Sequence, residues 1–252
     1  MQDRAHPGRS TLASLPGAEA AGRWTRFASP PRFYALAGAW LPWLWAIALA
    51  SGAIGLYFGF FVAPTDAQQG ESYRIIFIHV PAAWMSMLVY LVLAFWAAWG
   101  WILNARMASM YARALAPTGA LFTLIALVTG SLWGRPTWGT WWVWDARITS
   151  EFILLLLYLG YIALTEAIDE PRRAANAGAL LALVGAINIP IIYFSVQWWN
   201  TLHQGATISA TAAPKMAATM FTALLLMTAS FWAYTFAVVF ARARAIVLEE
   251  RR

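Results

Sequence analysis

The sequence predicts an all-α integral membrane fold of six transmembrane helices, and three observations predict it. The first is composition. Of 252 residues, 61% are hydrophobic and only 11% are charged, with a mean hydropathy of +0.60. So little charge cannot cover the surface of a soluble domain of this size, so lipid is the solvent for much of the chain. The second is six apolar runs, each near the roughly 20 helical residues that a hydrocarbon core of about 30 Å demands. The third is the placement of Lys and Arg, which gather on alternate connections between those runs.

Residues 1 to about 35 are polar and rich in Gly, Pro, Arg and Ala, with Arg4, Arg9, Arg23, Arg26 and Arg32 among them. This composition reads as a disordered basic cytoplasmic tail. It lacks the short apolar stretch and small-residue cleavage site of a signal peptide. A membrane domain over 36–241 and a short cytoplasmic tail over 242–252 complete the division. The spans are expected near 38–62, 76–103, 115–133, 147–167, 175–196 and 215–240. Polar breaks separate them: Pro64-Thr65-Asp66, Asn104-Ala105-Arg106, a Trp-rich stretch over 133–146, Asp169-Glu170-Pro171-Arg172-Arg173, and a polar stretch from Gln197 to Pro214. Asn188 and Pro190 inside the fifth run predict a kink with local polar repair.

One set of connections holds Arg23, Arg26, Arg32, Arg106, Arg113, Arg172, Arg173, Arg242, Arg244, Arg251 and Arg252. The opposite set holds Arg74, Arg135, Arg147 and Lys215. The positive-inside rule puts the first set, and with it both termini, in the cytoplasm. The outer connections are then about 63–75, 133–146 and 197–214, which bring His79, the Trp-rich stretch and His203 to one side.

Composition also removes function classes. The formal charge of +6 punctuates apolar runs and builds no basic face, which argues against nucleic acid. There is no cysteine, hence no disulfide, thiolate metal site or covalent c-type haem attachment. No Gly-x-x-x-x-Gly-Lys-[Ser/Thr] loop is present, so the chain is not itself a P-loop ATPase.

The densest signal is Trp133-Gly134-Arg135-Pro136-Thr137-Trp138-Gly139-Thr140-Trp141-Trp142-Val143-Trp144-Asp145, with five tryptophans in twelve residues. On a short interfacial helix Trp138, Trp141, Trp142 and Asp145 would share one face. A single interfacial Trp reads as aromatic belt. This density, flanked by Arg135 and Arg147, reads as a binding platform. Two of the three histidines, His79 in Ile78-His79-Val80-Pro81 and His203 in Leu202-His203-Gln204, join it; the third, His6, lies in the tail. Each alone is as well explained by an interfacial hydrogen bond, but an ionisable group near a span is a functional candidate.

Together they match haem, a flat apolar disc with anionic propionates and an iron that accepts axial imidazoles. The Trp stretch offers aromatic surface, His79 and His203 two imidazoles, and Arg74, Arg135 or Arg147 the cations. Two histidines without carboxylate or thiolate ligands suit haem better than zinc, which takes four ligands. With no cysteine, the group is held non-covalently, as haem b. Glu151, four residues after Arg147, reads as a weak helix-surface ion pair. Asp145 reads as a residue that orients an arginine or a tryptophan N–H rather than as a ligand.

At these residues the chain resembles the tryptophan-rich WWD family of haem-handling proteins of bacterial cytochrome c maturation. Their outer loop has the form W-G-x-x-W-x-W-D, matched at every fixed position from Trp138 to Asp145. Six spans, a histidine before Val-Pro in the second and a histidine in the last outer loop are the plan of the shorter, CcmC-type members, over about residues 38 to 240. The resemblance implies a bacterial inner-membrane protein that holds haem on its periplasmic side and delivers it to the membrane-anchored haem chaperone CcmE. It implies His79 and His203 as axial iron ligands, a cradle of Trp133, Trp138, Trp141, Trp142 and Trp144 with Asp145, and propionates met by Arg74, Arg135 and Arg147. The expected neighbours are a small single-span subunit and an ABC transporter of the same maturation system, within the lipid bilayer. The role is delivery, not catalysis.

Three rivals remain. A haem transporter would show inverted repeats, broken helices and polar groups at the midplane, and no internal repeat is evident. An electron-transferring b-type cytochrome would pair histidines within spans across the bilayer. A helical scaffold with an aromatic belt leaves the loop's tryptophan density unexplained.

Overall fold

The computed structural model describes residues 29–203 and 214–249. The expected tail over 1–35 therefore lies outside the described residues up to residue 28, and from Pro30 onward the chain is already helical. Among the described residues seven α-helices form the bundle: α1 Pro30–Tyr57, α2 Ile76–Leu103, α3 Arg106–Trp138, α4 Ala146–Glu166, α5 Pro171–Gly185, α6 Asn188–Trp198 and α7 Ala218–Glu249. They make six segments long and apolar enough to cross a membrane, since α5 and α6 run on as one. No strand occurs among the described residues.

The ends of these helices are set by local chemistry. Two prolines open α1, where a missing N–H costs nothing. A π-helical turn over Phe58–Val62 prolongs it to the first connection, and a 3₁₀ turn over Glu71–Ile75 leads into α2. Asn104 closes α2 in the left-handed conformation, at φ 51°, a cap that asparagine tolerates. Glu170 caps α5 by accepting the N–H groups of Arg172 and Arg173.

The fifth segment breaks at Ala186-Ile187, two residues before the Asn188 that opens α6. The break falls where the kink was expected, and the Asn188 side chain there donates to the Ser150 carbonyl of α4 at 2.9 Å.

The helices α2 and α3 form one long antiparallel pair, and α1 packs along α7. The last helix continues to Glu249, so residues 242–249 are helix rather than free tail. Two contacts hold that extension. Arg242 donates to the Thr118 hydroxyl, and the Arg244 guanidinium lies 4.1 Å over the ring of Tyr34. The core is rich in buried aromatic rings, with Tyr90 and Tyr158 edge to face at 4.9 Å. The Tyr158 hydroxyl is satisfied by the carbonyl of Ser86 at 2.7 Å.

Six alternating segments leave three connections at one end and two, with both ends of the bundle, at the other. At one end sit the segments near 63–75, 139–145 and 199–203, and there the bundle carries His79, His203 and the Trp-rich stretch, while most of its arginines lie at the other end.

Candidate functional site

The Trp-rich stretch is not a helical platform. Helix α3 runs through Trp133 to Trp138 and stops at Gly139, whose φ of 79° closes the last turn with an N–H to the Arg135 carbonyl at 3.1 Å. Residues from Thr140 to Val143 are irregular, and Asp145 starts the next helix. The one-face arrangement of Trp138, Trp141, Trp142 and Asp145 therefore does not form, because the left-handed Gly139 breaks the periodicity it needs.

What forms instead is a distribution of roles. Trp133 packs edge to face on His79, ring centroids 5.6 Å apart, and its indole N–H is fixed by Gln69 at 2.8 Å. Trp138 packs on His203 at 5.0 Å. Trp142 lines a cavity shared by both histidines. Trp141 and Trp144 face outward, 54% and 67% exposed.

That cavity is the centre of the site. It is lined by His79, His203, Trp142, Arg147, Glu151 and small residues of α3 that include Gly130, and its volume is about 40 Å³. His79 stands near the start of α2, where Gly130 of α3 makes room for it: a Cβ there would lie 3.1 Å from the His79 ring. The His79 Nδ1 is 3.0 Å from the hydroxyl of Thr129. His203 is carried by the irregular segment after α6, with Nδ1 3.7 Å from an Asp145 carboxylate oxygen. Burial first, and the Arg147 cation second, push His203 down from its ordinary 6.5 to about 4, against the pull of Asp145. The ring is thus neutral at physiological pH and free to donate a lone pair.

Two acids and three arginines take places that the sequence did not foretell. Glu151 is not on the surface beside Arg147. It is 7% exposed, accepts the Ser86 hydroxyl at 2.7 Å and faces the cavity. Packing of α2 on α4 encloses it, which spacing along α4 alone cannot show. Asp145 holds neither an arginine nor an indole: it caps α4 through Ile148 N–H at 2.8 Å and takes the Leu202 N–H at 3.2 Å. Arg147 donates to the Ile192 carbonyl at 2.8 Å and reaches the cavity. Arg74 is engaged by Glu71 and by the carbonyls of Gly59 and Ala63, away from the cavity wall. Arg135 donates to the Gly139 carbonyl and steadies the turn.

Sequence reasoning missed Thr129, Gly130, Ser86 and Gln69. A signal for the first two exists: Ala126, Thr129, Gly130 and Trp133 fall at i, i+3, i+4, i+7, one stripe of α3. Nothing in the spacing marks Ser86 or Gln69.

The residues present fit haem by their donors. Two imidazoles from different segments meet one cavity, with an aromatic wall and the half-buried Arg147 cation. Among the described residues six buried side-chain polar atoms have no hydrogen-bond partner, and four of them belong to this end: Trp142 Nε1, His203 Nδ1, Thr137 Oγ1 and Thr201 Oγ1. Such atoms are uncommon in a folded protein, and two of them, Trp142 Nε1 and His203 Nδ1, belong to residues that line the cavity. No group of three or more His, Cys, Asp or Glu placed to hold a bare metal ion occurs among the described residues.

Residues 23–252 match the family model described as Heme exporter protein C. The chain is 53% identical over 182 residues to the Heme exporter protein C of Escherichia coli strain K12, covering 72% of this chain and 74% of the relative. The protein of the same name from Bradyrhizobium diazoefficiens is 51% identical over 204 residues, 81% and 77% of the two chains. That of Paracoccus denitrificans is 42% identical over 226 residues, 89% and 93%.

Proposed function

The chain belongs to the Heme exporter protein C family, and from that premise we propose that it holds haem b non-covalently between His79 and His203 and delivers it to the haem chaperone CcmE. It is a multi-pass membrane protein of haem handling in cytochrome c maturation. The observation that carries the finer reading is the meeting of His79 and His203 on one cavity, each ring packed against a tryptophan of the same stretch.

On this reading the site end is periplasmic and the bilayer is the bacterial inner membrane. The distribution of arginines supports that sidedness. Haem, when bound, would supply an iron centre that accepts two imidazoles. His79 and His203 would hold it, Trp142 would supply apolar surface, and Arg147 would offer a cation to its anionic edge. The exposed Trp141 and Trp144 are left for the partner or the headgroup region.

A cavity of about 40 Å³ admits water-sized groups and not a macrocycle. Loading therefore requires His203 to draw away from His79. The arrangement suits that, because His79 is anchored in a helix and His203 is carried on an irregular segment. A carrier that must release its cargo benefits from one fixed and one movable ligand. The role is delivery without bond-making by the chain itself, beside a small single-span subunit and an ABC transporter.

The test is transfer. Detergent-purified protein loaded with haem is mixed with the chaperone, and the haem is followed by absorbance after separation. Haem should pass from the parent protein and fail to be loaded or passed by His79→Ala and His203→Ala. A chaperone that takes no haem from a well-loaded parent would reject the delivery reading.

A further inference from the structure

Between α2 and α3 the ring of His79 meets a residue that the haem reading does not use. Thr129 Oγ1 lies 3.0 Å from His79 Nδ1, within hydrogen-bond distance. The same hydroxyl lies 2.6 Å from the carbonyl of Ile125, one turn earlier in α3. A threonine hydroxyl has one proton and two lone pairs. Its proton is committed to Ile125, the short i−4 bond that threonine makes in helices. Toward His79 it therefore offers only a lone pair, and the proton of that hydrogen bond must come from the imidazole.

We infer that Thr129 is a positioning residue that holds His79 as the Nδ1–H tautomer, so that Nε2 carries the lone pair offered to the cavity. Thr129 acts on the iron through His79. The inference rests on the haem reading for its use, but the tautomer itself stands on the hydrogen bond alone. Two neighbours fix the geometry. Gly130 gives the ring its space, with His79 Cε1 3.1 Å from where a Cβ would stand. Trp133 closes the other side at 5.6 Å. Thr129, Gly130 and Trp133 thus form one stripe of α3 that sets the position, orientation and proton of a single imidazole. The charged groups that share the cavity, Arg147 and Glu151 of α4, sit on another wall and make no hydrogen bond to this ring. The opposite ligand has no such bond. His203 Nδ1 faces Asp145 at 3.7 Å, beyond hydrogen-bond reach. The two imidazoles are therefore held differently, His79 by a hydrogen bond to α3 and His203 by its packing on Trp138 and by Asp145, which takes the neighbouring Leu202 N–H.

The experiment has a haem-free and a haem-loaded arm. Full-length protein with ¹⁵N-labelled histidine is purified in detergent without haem, and long-range ¹H–¹⁵N spectra are assigned to His79 by comparison with His79→Ala. The expected result is a protonated Nδ1 and an unprotonated Nε2. An Nε2–H tautomer in the parent would overturn the inference whatever the haem results. In the second arm Thr129→Val and Thr129→Ser are titrated with haem. Thr129→Val should bind haem roughly tenfold more weakly, within the range seen on removing a partner of a metal-bound histidine, and should gain a high-spin component. Thr129→Ser should restore the parent spectrum. Parent-like affinity and spin state in Thr129→Val, or failure of Thr129→Ser to rescue, would also overturn it. If the parent binds no haem while the ¹⁵N spectra show Nδ1–H, the haem reading falls and the tautomer assignment stands.

Discussion

Asp145 and His203 are joined across two connections of the bundle, with a carboxylate oxygen 3.7 Å from the imidazole Nδ1. The same carboxylate caps α4 at Ile148 N and takes the backbone N–H of Leu202, next to the histidine. One side chain therefore starts a helix and tethers the segment that carries the second imidazole. Its place is fixed by the turn at Gly139, which ends α3 and delivers the chain to Asp145 in extended form.

Substituting Asp145→Asn separates these duties. Asparagine still accepts at a helix N-terminus, so the cap costs at most a few tenths of a kcal/mol. The negative charge beside His203 is lost. Haem binding is expected to weaken about tenfold, with part of the iron turning high-spin, while the melting temperature of the haem-free protein stays close to the parent's. Thermal melts and absorption spectra of the two proteins check both halves.

The depressed pKa of His203 gives a pH dependence with a definite sign. The unfolded histidine takes up a proton near pH 6.5, the folded one only near pH 4. Between those values the unfolded chain binds more protons, so stability falls as pH is lowered through that window and this contribution levels off below about 4. His203→Gln should remove that part of the dependence. Melting temperatures at pH 7, 5.5 and 4.5 for both proteins report it, and parallel curves would contradict the assignment.

Trp142 Nε1 is a buried donor without a partner. Replacing it with Phe removes a group that is already unsatisfied, so the haem-free protein should lose little stability or gain slightly. If that N–H meets a polar edge of the ligand, Trp142→Phe should weaken haem binding by a factor of about ten, the worth of one hydrogen bond to a charged group. A titration followed at the Soret band gives the ratio.

At the break in the fifth segment, Asn188→Ala removes the donor to the Ser150 carbonyl. The expected loss is about 1 kcal/mol, visible as a lower melting temperature, with haem affinity changed far less than by substitutions at the cavity.

The fold was legible because membrane spans are written in plain composition. Each apolar run has its helix, and the break at Ala186-Ile187 follows from an asparagine and a proline read in sequence. The ends were less legible. Arg242 and Arg244 look like the start of a tail, yet Thr118 and Tyr34 on other helices keep them helical. At the site, His79, His203 and Trp142 could be named from residue type alone. The Trp stretch was misread because helical spacing arithmetic assumes a helix, and Gly139 ends it. Glu151 was misread because its burial is decided by Ser86 on another helix. Thr129 was readable in principle from its stripe with Gly130 and Trp133, but only the meeting of α2 and α3 shows what that stripe faces.

The most direct test of the central claim is the absorption spectrum of the haem-loaded protein beside His79→Ala and His203→Ala. The expected spectrum is low-spin and bis-imidazole in the parent, with loss of haem or a high-spin spectrum in each variant. A parent spectrum that survives unchanged in both variants would contradict it.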